Sequence, residues 1–319
     1  MNPTDPNMWT TLLHGGFAGT FMGLPHVPAQ TAALREHGAG AALYGIPFDA
    51  TSISRTGANY GPRGVREVSC QLRPYQARFD FDLLAAINPV DAGDVDLVLG
   101  NAQKTFERAQ HDIGQILAAD ALPVTIGGDH SVTIPAVRAI RDHVADPGLI
   151  LIDAHLDTAL EVGGEELNHC CPITRAVDAG FDPEKIALVG IGGWMNPKSE
   201  LDYCRERGIT VIWIEEIWEH GTAWAVDRAL SVAGAGDGVY LTFDVDSLDA
   251  AYAPGTCCPT PGGLTSREAI ELVRGVSAPG LLGVDVVEPA PSLDSSPRTS
   301  LIAGRIALEA MAFHAGCGR

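Results

Sequence analysis

The feature that most constrains the fold of this chain is the alternation of short, uniformly apolar runs with longer amphipathic segments. The apolar runs, which are strand candidates, cover residues 41–45, 122–126, 148–153, 186–190, 209–214, 238–243 and 281–287. The amphipathic segments, which are helix candidates, cover residues 102–119, 134–143, 172–179, 199–207, 223–233, 266–276 and 300–314. Strands that are apolar throughout are typical of a sheet covered on both faces. The alternation therefore predicts an α/β fold with a parallel sheet between helices.

The length of the chain, 319 residues, is compatible with a single α/β domain. The sequence contains no internal repeat, low-complexity segment or interdomain linker. We therefore predict an N-terminal arm over residues 1–40, followed by one domain over residues 41–319.

The charge balance excludes several classes of partner. Acidic side chains outnumber basic ones by 40 to 21, which gives a formal net charge of −19. A protein with this negative charge repels nucleic acid and anionic membranes and attracts small cations. No apolar run is long enough to cross a bilayer, the N-terminus lacks the features of a signal peptide, and the seven cysteines do not suggest a disulfide scaffold. We therefore predict a cytoplasmic protein with no nucleic-acid or membrane partner.

Residues that carry chemistry follow four of the predicted strands. They are His130 after the second run, Asp153 at the end of the third with His155 and Asp157 after it, Asp244 and Asp246 after the sixth, and Glu288 after the seventh. Ligand sites of open α/β sheets lie at the carboxyl ends of strands. Residues two apart in an extended chain point the same way. The spacing therefore predicts that two imidazoles and four carboxylates converge in one crevice.

This predicted cluster favours a pair of metal ions. Four carboxylates cannot stay ionised together in a partly dry site without cations, and two divalent ions would neutralise them. Imidazole and carboxylate donors suit Mn²⁺, while Ni²⁺, Fe²⁺ and Zn²⁺ stay open. Two such ions lower the pKa of a shared water toward neutrality, which predicts hydrolysis at carbon or phosphorus. Helix capping or core packing would explain one such residue, but not six at the ends of successive strands.

The motifs at these strand ends resemble the signatures of the ureohydrolase family, which includes arginase, agmatinase and guanidinobutyrase. They read GGDHS at 127–131, DAHLD at 153–157, TFDVDSLDAAYAPGT at 242–256 and DVVEP at 285–289. The segments RTG at 55–57 and GPRGVR at 61–66 resemble the agmatinase and guanidinobutyrase branch. The resemblance implies a single ureohydrolase catalytic domain with a three-layer α/β/α sandwich and a mainly parallel eight-stranded sheet. It also implies assembly as a trimer or hexamer.

The resemblance also implies a role for each of these residues. One metal would be held by His130, Asp153, Asp157 and Asp244, and the other by His155, Asp153, Asp244 and Asp246. Asp157 would also orient the hydroxide that bridges the metals. His169 stands where the family has a mobile histidine that gives a proton to the leaving amine, and Glu288 where it has the carboxylate that pairs with the guanidinium. The implied cofactors are two Mn²⁺ ions per chain, with Ni²⁺ as the alternative.

Two departures from the family pattern place thiols beside the predicted pocket. His169 is followed by Cys170 and Cys171 where the family usually has glycine, and Cys257 and Cys258 replace Gly-Thr in the APGTGTP motif. We predict that Cys171 and Cys257 line the substrate site and narrow it. Packing as small apolar side chains and a redox role of the neighbouring cysteines stay open.

Two further departures concern the part of the site that would hold the substrate tail. Ala159 stands where the family often has Asn, and Trp194 stands where it often has Arg. We predict that Trp194 binds substrate, because its ring face can receive a cation, and packing is the alternative. These replacements suggest a small or apolar-substituted cation.

The resulting functional prediction is a dinuclear-metal hydrolase that attacks the guanidino carbon by a metal-bridged hydroxide. Its substrate would be a guanidino compound of the agmatine or 4-guanidinobutyrate type, cleaved to urea and an amine. The first alternative is a nickel enzyme acting on guanidine, an alkylated guanidine or a biguanide such as metformin. The second alternative is a supporting subunit in a mixed oligomer with a paralogous chain, and a deacetylase on a related fold is the third.

Overall fold

The computed structural model of the protein describes residues 19–318, whose centre is one eight-stranded sheet. The strands lie in the order β4-β1-β5-β10-β9-β6-β7-β8, and every pairing is parallel. They are β1 (Ala41–Ile46), β4 (Pro89–Asp94), β5 (Leu122–Gly127), β6 (Gly148–Ile152), β7 (Ile186–Ile191), β8 (Thr210–Trp213), β9 (Val239–Asp244) and β10 (Leu281–Val287). Two short strands, β2 (Tyr75–Gln76) and β3 (Phe81–Asp82), form a separate antiparallel pair.

Helices cover both faces of the sheet. They are α1 (Thr31–His37), α2 (Gly61–Ser69), α3 (Leu83–Ile87), α4 (Ala102–Ala118), α5 (Thr133–His143), α6 (Pro172–Ala179), α7 (Lys198–Arg207), α8 (Ile214–His220), α9 (Thr222–Ala233), α10 (Ser266–Ser277) and α11 (Arg298–His314). Ile150 and Ile152 of β6 pack in one apolar cluster with α2, α9, α10 and α11. Leu149 and Leu151 pack in a second cluster with α1, α4, α5 and α6. The alternation along a single strand confirms the predicted three-layer sandwich.

The seven predicted strands all occur, each with bounds within one residue of the prediction. The eighth, β4, was not predicted because its sequence, PVDAGD, contains Pro, Gly and two Asp. Such residues are tolerated at the edge of a sheet, and β4 lies at that edge, where its one neighbouring strand in the described sheet is β1 and Asp91 forms an isolated bridge to His26. The helices α1, α2, α3 and α8 were also not predicted, and none of them exceeds nine residues.

The predicted arm over residues 1–40 falls partly outside the described residues. From residue 19 onward it contains a 3₁₀ turn at Phe21–Gly23 and the helix α1. Phe21 and Leu34 are fully buried in the two apolar clusters. No helix within residues 19–318 is long and apolar enough to span a membrane.

Candidate metal centre

The residues singled out in the sequence lie at the carboxyl ends of four adjacent strands. In the order of the sheet these strands are β5, β10, β9 and β6. A turn after β5 leads into His130, β6 ends before Asp153, β9 ends at Asp244, and β10 ends before Glu288. Parallel strands open their carboxyl ends on the same side of a sheet. The four segments therefore meet above the centre of this sheet.

The first group of potential ligands surrounds the imidazole of His130. Its Nδ1 atom lies 3.2 Å from Asp153 Oδ2, 2.9 Å from Asp157 Oδ2 and 3.1 Å from Asp244 Oδ2. All four side chains are buried. One nitrogen facing three carboxylate oxygens is a suitable arrangement for a divalent cation with mixed nitrogen and oxygen ligands.

The second group surrounds His155 and shares a residue with the first. His155 Nδ1 lies 3.4 Å from Asp153 Oδ1 and 3.2 Å from Asp246 Oδ2. Asp153 thus directs one carboxylate oxygen to each histidine. The structure therefore gathers all six side chains that the sequence marked as ligands into two adjoining groups.

Buried atoms without hydrogen bonds test whether this site fits cations. Within the described chain, His130 Nδ1, Asp153 Oδ2 and Asp246 Oδ1 are buried and have no hydrogen-bond partner. Such orphaned groups are costly and require another partner. Burial raises the pKa of Asp246 to about 7, although His155 opposes the shift. Burial, with the charges of Asp246 and Asp153, also raises the pKa of Asp244 well above its usual value. Two divalent ions would satisfy these atoms and hold the carboxylates ionised.

A threonine on β9 orients the first histidine. His130 Nε2 lies 2.9 Å from Thr242 Oγ1, and Thr133 Oγ1 donates a hydrogen bond of 2.9 Å to Asp285 Oδ2 beneath it. A proton on Nε2 donated to Thr242 leaves Nδ1 free as the ligand atom. The sequence analysis did not select Thr242 or Asp285. Thr242 lies two residues before Asp244 in the same strand, so the two side chains point to the same face of the sheet. This spacing could have identified Thr242 from the sequence.

A second pair of side chains adjoins these groups. His130 N donates a 3.0 Å hydrogen bond to Glu288 Oε1, and His169 Nδ1 lies 3.0 Å from the same oxygen. Ile53 N donates to His169 Nε2 at 3.2 Å, which leaves the proton of the imidazole on Nδ1, facing Glu288. Glu288 Oε2 is buried and has no hydrogen-bond partner in residues 19–318.

Two residues of the centre have left-handed backbone conformations. The φ angle is +48° at Asp157 and +65° at Glu288, a region that non-glycine residues rarely adopt. Strained residues of this kind concentrate at functional sites, where the surrounding structure holds them. Here the turns direct both carboxylates back over the strand ends.

A cavity of about 220 Å³ opens beside the two groups. Its wall contains three histidines, five acidic residues, three cysteines and four apolar residues, with no Lys or Arg among these described residues. The residues are Ile53, His130, His155, Asp157, Val162, His169, Cys170, Met195, Pro197, Glu200, Asp244, Asp246, Cys257, Cys258 and Glu288. The structure places Cys257 on the wall, but not Cys171 or Trp194. Cys171 is fully buried, and Trp194 points into solvent with its whole surface exposed.

Glu200 is the acidic residue of this described cavity wall that the sequence analysis missed. Its Oε2 accepts a 3.1 Å hydrogen bond from Thr158 N. Burial, together with the charge of Asp157, raises the pKa of Glu200 to about 7. It lies in α7 rather than at a strand end, so no motif marked it. The cavity therefore carries a carboxylate in addition to Glu288 and the six potential ligands.

Proteins with named activities resemble this chain in structure or in sequence. The solved structure of proclavaminate amidino hydrolase from Streptomyces clavuligerus superposes with a TM-score of 0.84 at 32% identity, covering 93% of this chain and 97% of that chain. Guanidinobutyrase of Pseudomonas aeruginosa is 34% identical over 298 residues, which are 92% of this chain and 91% of the relative. Mitochondrial agmatinase of Gallus gallus is 35% identical over 284 residues, with coverages of 89% and 82%.

The fold, the donor groups and these relatives define a hydrolase that acts on C–N bonds in linear amidines. The Arginase family model matches residues 39–313. The chain belongs to the arginase family, within which it resembles agmatinase and guanidinobutyrase. Enzymes of this family depend on a dinuclear metal centre, in agreement with the two ligand groups.

Proposed function

We propose that this protein is a dinuclear-metal amidinohydrolase that cleaves a small guanidino compound to urea and an amine. The observation that carries the proposal is the pair of histidine-centred groups that share Asp153, directly beside the unpartnered oxygen of Glu288. Bound divalent ions would supply an activated water at neutral pH and electrostatic stabilisation of the tetrahedral transition state.

We propose that the ligands are divided as the family resemblance implies. His130, Asp153, Asp157 and Asp244 would hold one ion, and His155, Asp153, Asp244 and Asp246 the other. All of these donors are nitrogen or oxygen atoms, which suits Mn²⁺ and, as the alternative, Ni²⁺.

Three residues would act on the substrate and the water. Glu288 binds the planar guanidinium through Oε2, because Oε1 is already held by His130 N and His169. His169 would take up the proton that the attacking water loses and pass it to the leaving amine, since a neutral imidazole with a single proton on Nδ1 must gain a second one before it can act as an acid. Asp157 orients the attacking water from its strained turn.

The charge of the cavity wall favours one class of substrate tail. The wall combines the carboxylate of Glu200 with the apolar side chains of Ile53, Val162 and Met195, and no Lys or Arg is among the described residues that form it. An acidic tail would lack a cationic partner and would face like charge. We therefore propose a substrate with a cationic or uncharged tail, so agmatine is favoured over 4-guanidinobutyrate.

A specific observation also favours guanidine, an alkylated guanidine or a biguanide such as metformin as the second candidate. Cys170, Cys257 and Cys258 occupy the wall of a cavity of about 220 Å³. The family pattern has glycine at two of these positions, and cysteine side chains there make the cavity narrower. A short substrate loses no contact from such narrowing, whereas a long tail loses space.

The test is urea release by the purified chain, loaded separately with Mn²⁺ and Ni²⁺. Agmatine, guanidine and metformin are compared with 4-guanidinobutyrate, 3-guanidinopropionate and arginine. We expect the highest kcat/KM on a compound without a carboxylate. A maximum on a guanidino acid would overturn the tail assignment. No turnover of any compound would contradict the enzyme proposal and favour the supporting-subunit alternative.

We also propose that the chain works in the cytoplasm, as its cysteine content suggests, and that it forms a trimer or hexamer, as the family resemblance implies, alone or with a paralogous subunit. Light scattering of the purified chain tests the assembly. A monomer that turns over substrate at full rate would contradict it.

A further inference from the structure

A third group of potential ligands lies outside the two histidine-centred groups. It consists of His169, Cys257 and Glu288, which each offer one ligand atom within 4.8 Å of the others. All three side chains are buried. Cys257 stands where the family pattern has glycine, so this group is a property of the present sequence.

An unsatisfied atom indicates that this group can take a further partner. Glu288 Oε1 already binds His130 N and His169 Nδ1. Glu288 Oε2 is buried without a hydrogen bond from any described residue. A carboxylate oxygen that is removed from water and left unpaired is costly. A cation held between Oε2, the thiolate and the imidazole would satisfy it, with release of the thiol proton and of the proton on His169 Nδ1 to solvent.

The chemistry of the donors selects the type of ion. The groups around His130 and His155 contain only nitrogen and oxygen donors, whereas the third group adds sulfur. Thiolate with imidazole and carboxylate is typical of Zn²⁺, and thiolates in general favour softer ions over Mn²⁺ or Mg²⁺. The chain therefore offers two kinds of site with different metal preferences within one cavity.

We propose that His169, Cys257 and Glu288 form a third cation site, which binds a thiophilic divalent ion such as Zn²⁺ or Cd²⁺. The functional consequence rests on the proposed function, in which Glu288 pairs with the guanidinium and His169 provides the proton. An ion at the third site occupies both groups. Zn²⁺ or Cd²⁺ should therefore inhibit competitively with substrate, even when the first two groups are loaded with Mn²⁺.

Cd²⁺ is the probe that separates this site from the first two groups. Reduced, Mn²⁺-loaded protein is titrated with Cd²⁺ while the ultraviolet thiolate-to-metal charge-transfer absorption is followed. Displacement of Mn²⁺ gives no such band, because neither of the first two groups contains sulfur. We expect the band in the unaltered protein, with one Cd²⁺ per chain. Absence of the band there would overturn the proposal.

The variants identify the thiol. We expect C257S to lose the band while it keeps its bound Mn²⁺ and its Tm. C258S is the matched control, because Cys258 lies next to Cys257 with its Sγ 3.7 Å away but is not part of the group. C258S should keep the band. A band that survives in C257S, or that disappears in C258S alone, would overturn the assignment.

Inhibition kinetics separate failure of the site from failure of the proposed function. We expect the inhibition constant for Cd²⁺ to weaken on the order of tenfold or more in C257S, since loss of a residue that merely supports a metal ligand already weakens metal binding by about tenfold or more. Substrate should relieve inhibition in the unaltered protein. A C257S-sensitive band without competition would support the cation site and contradict the guanidinium role of Glu288. If no substrate is turned over, the band alone decides the proposal.

Discussion

Replacement of Glu288 by Gln is the sharpest test of how this chain recognises a guanidinium. Glu288 Oε1 accepts from His130 N and faces the Nδ1 proton of His169, and the carbonyl oxygen of Gln can keep both contacts. The amide nitrogen then takes the position of Oε2, the oxygen that is buried and unpartnered. The substitution therefore preserves shape and removes only the charge that faces the substrate.

The size of the effect follows from the burial of the carboxylate, which is 2% exposed. Removing one partner of a buried ion pair costs about 3–5 kcal/mol. Because about 1.4 kcal/mol corresponds to a factor of ten, kcat/KM should fall between roughly a hundredfold and a few thousandfold. Urea release measures the rate, and elemental analysis measures bound metal, which should stay at two ions per chain.

Glu219→Gln is the matched control, because its carboxylate lies on the exposed surface of α8. It should leave kcat/KM unchanged. An unchanged kcat/KM in Glu288→Gln with both ions bound would refute the assigned role. Loss of metal in that variant would mean that Glu288 acts as a ligand instead.

The other predictions concern the metals, the pH and the thiols. His130→Ala and Asp246→Ala should each lower the bound metal below two ions per chain by elemental analysis, and full occupancy in both would contradict the ligand assignment. Chelation should lower Tm, because each ion at a hundred times its Kd stabilises the fold by about 2.7 kcal/mol. In the metal-free protein burial raises the pKa of Asp246 to about 7, so the contribution of this group to stability should be full below about pH 4 and be lost as the pH rises through 7. A flat Tm across that interval in calorimetry would contradict this. Cys257→Gly should raise kcat/KM for longer guanidino compounds relative to guanidine, and an identical substrate profile would show that the thiol does not limit the cavity.

The parts of the site on strand ends could be predicted from the sequence, and the reason is geometric. Asp153 and Asp244 follow or close apolar runs whose burial fixes their place in the sheet. His155 lies just beyond the end of β6 and Asp246 lies in the 3₁₀ turn Val245–Ser247, so the buried strands before them, and not an extended period of two, bring both to this edge of the sheet. The sequence rules are strongest where the backbone is regular, and these residues lie within or directly after regular backbone.

The positions of side chains in the loops could not be predicted, because the spacing of residues along the sequence does not determine side-chain direction where the backbone is irregular. Trp194 was expected at the substrate, but the loop after β7 turns it into solvent and its neighbour Met195 lines the cavity instead. Likewise, Cys171 was predicted to line the cavity, but its neighbour Cys170 lies on the cavity wall and Cys171 is buried in the core. Glu200 reaches the cavity from a helix, so only the folded chain shows it.

The left-handed turns at Asp157 and Glu288 have a consequence for how this sequence can change. Each holds a side chain in a conformation that costs of order 1–3 kcal/mol and that glycine adopts freely. Relief of backbone strain alone would therefore favour glycine at both positions, while at position 157 glycine would also remove a proposed metal ligand. Selection for turnover opposes that drift, because glycine has no carboxylate to orient water or bind a guanidinium. Positions 157 and 288 should thus distinguish active descendants of this sequence from stable, inactive ones.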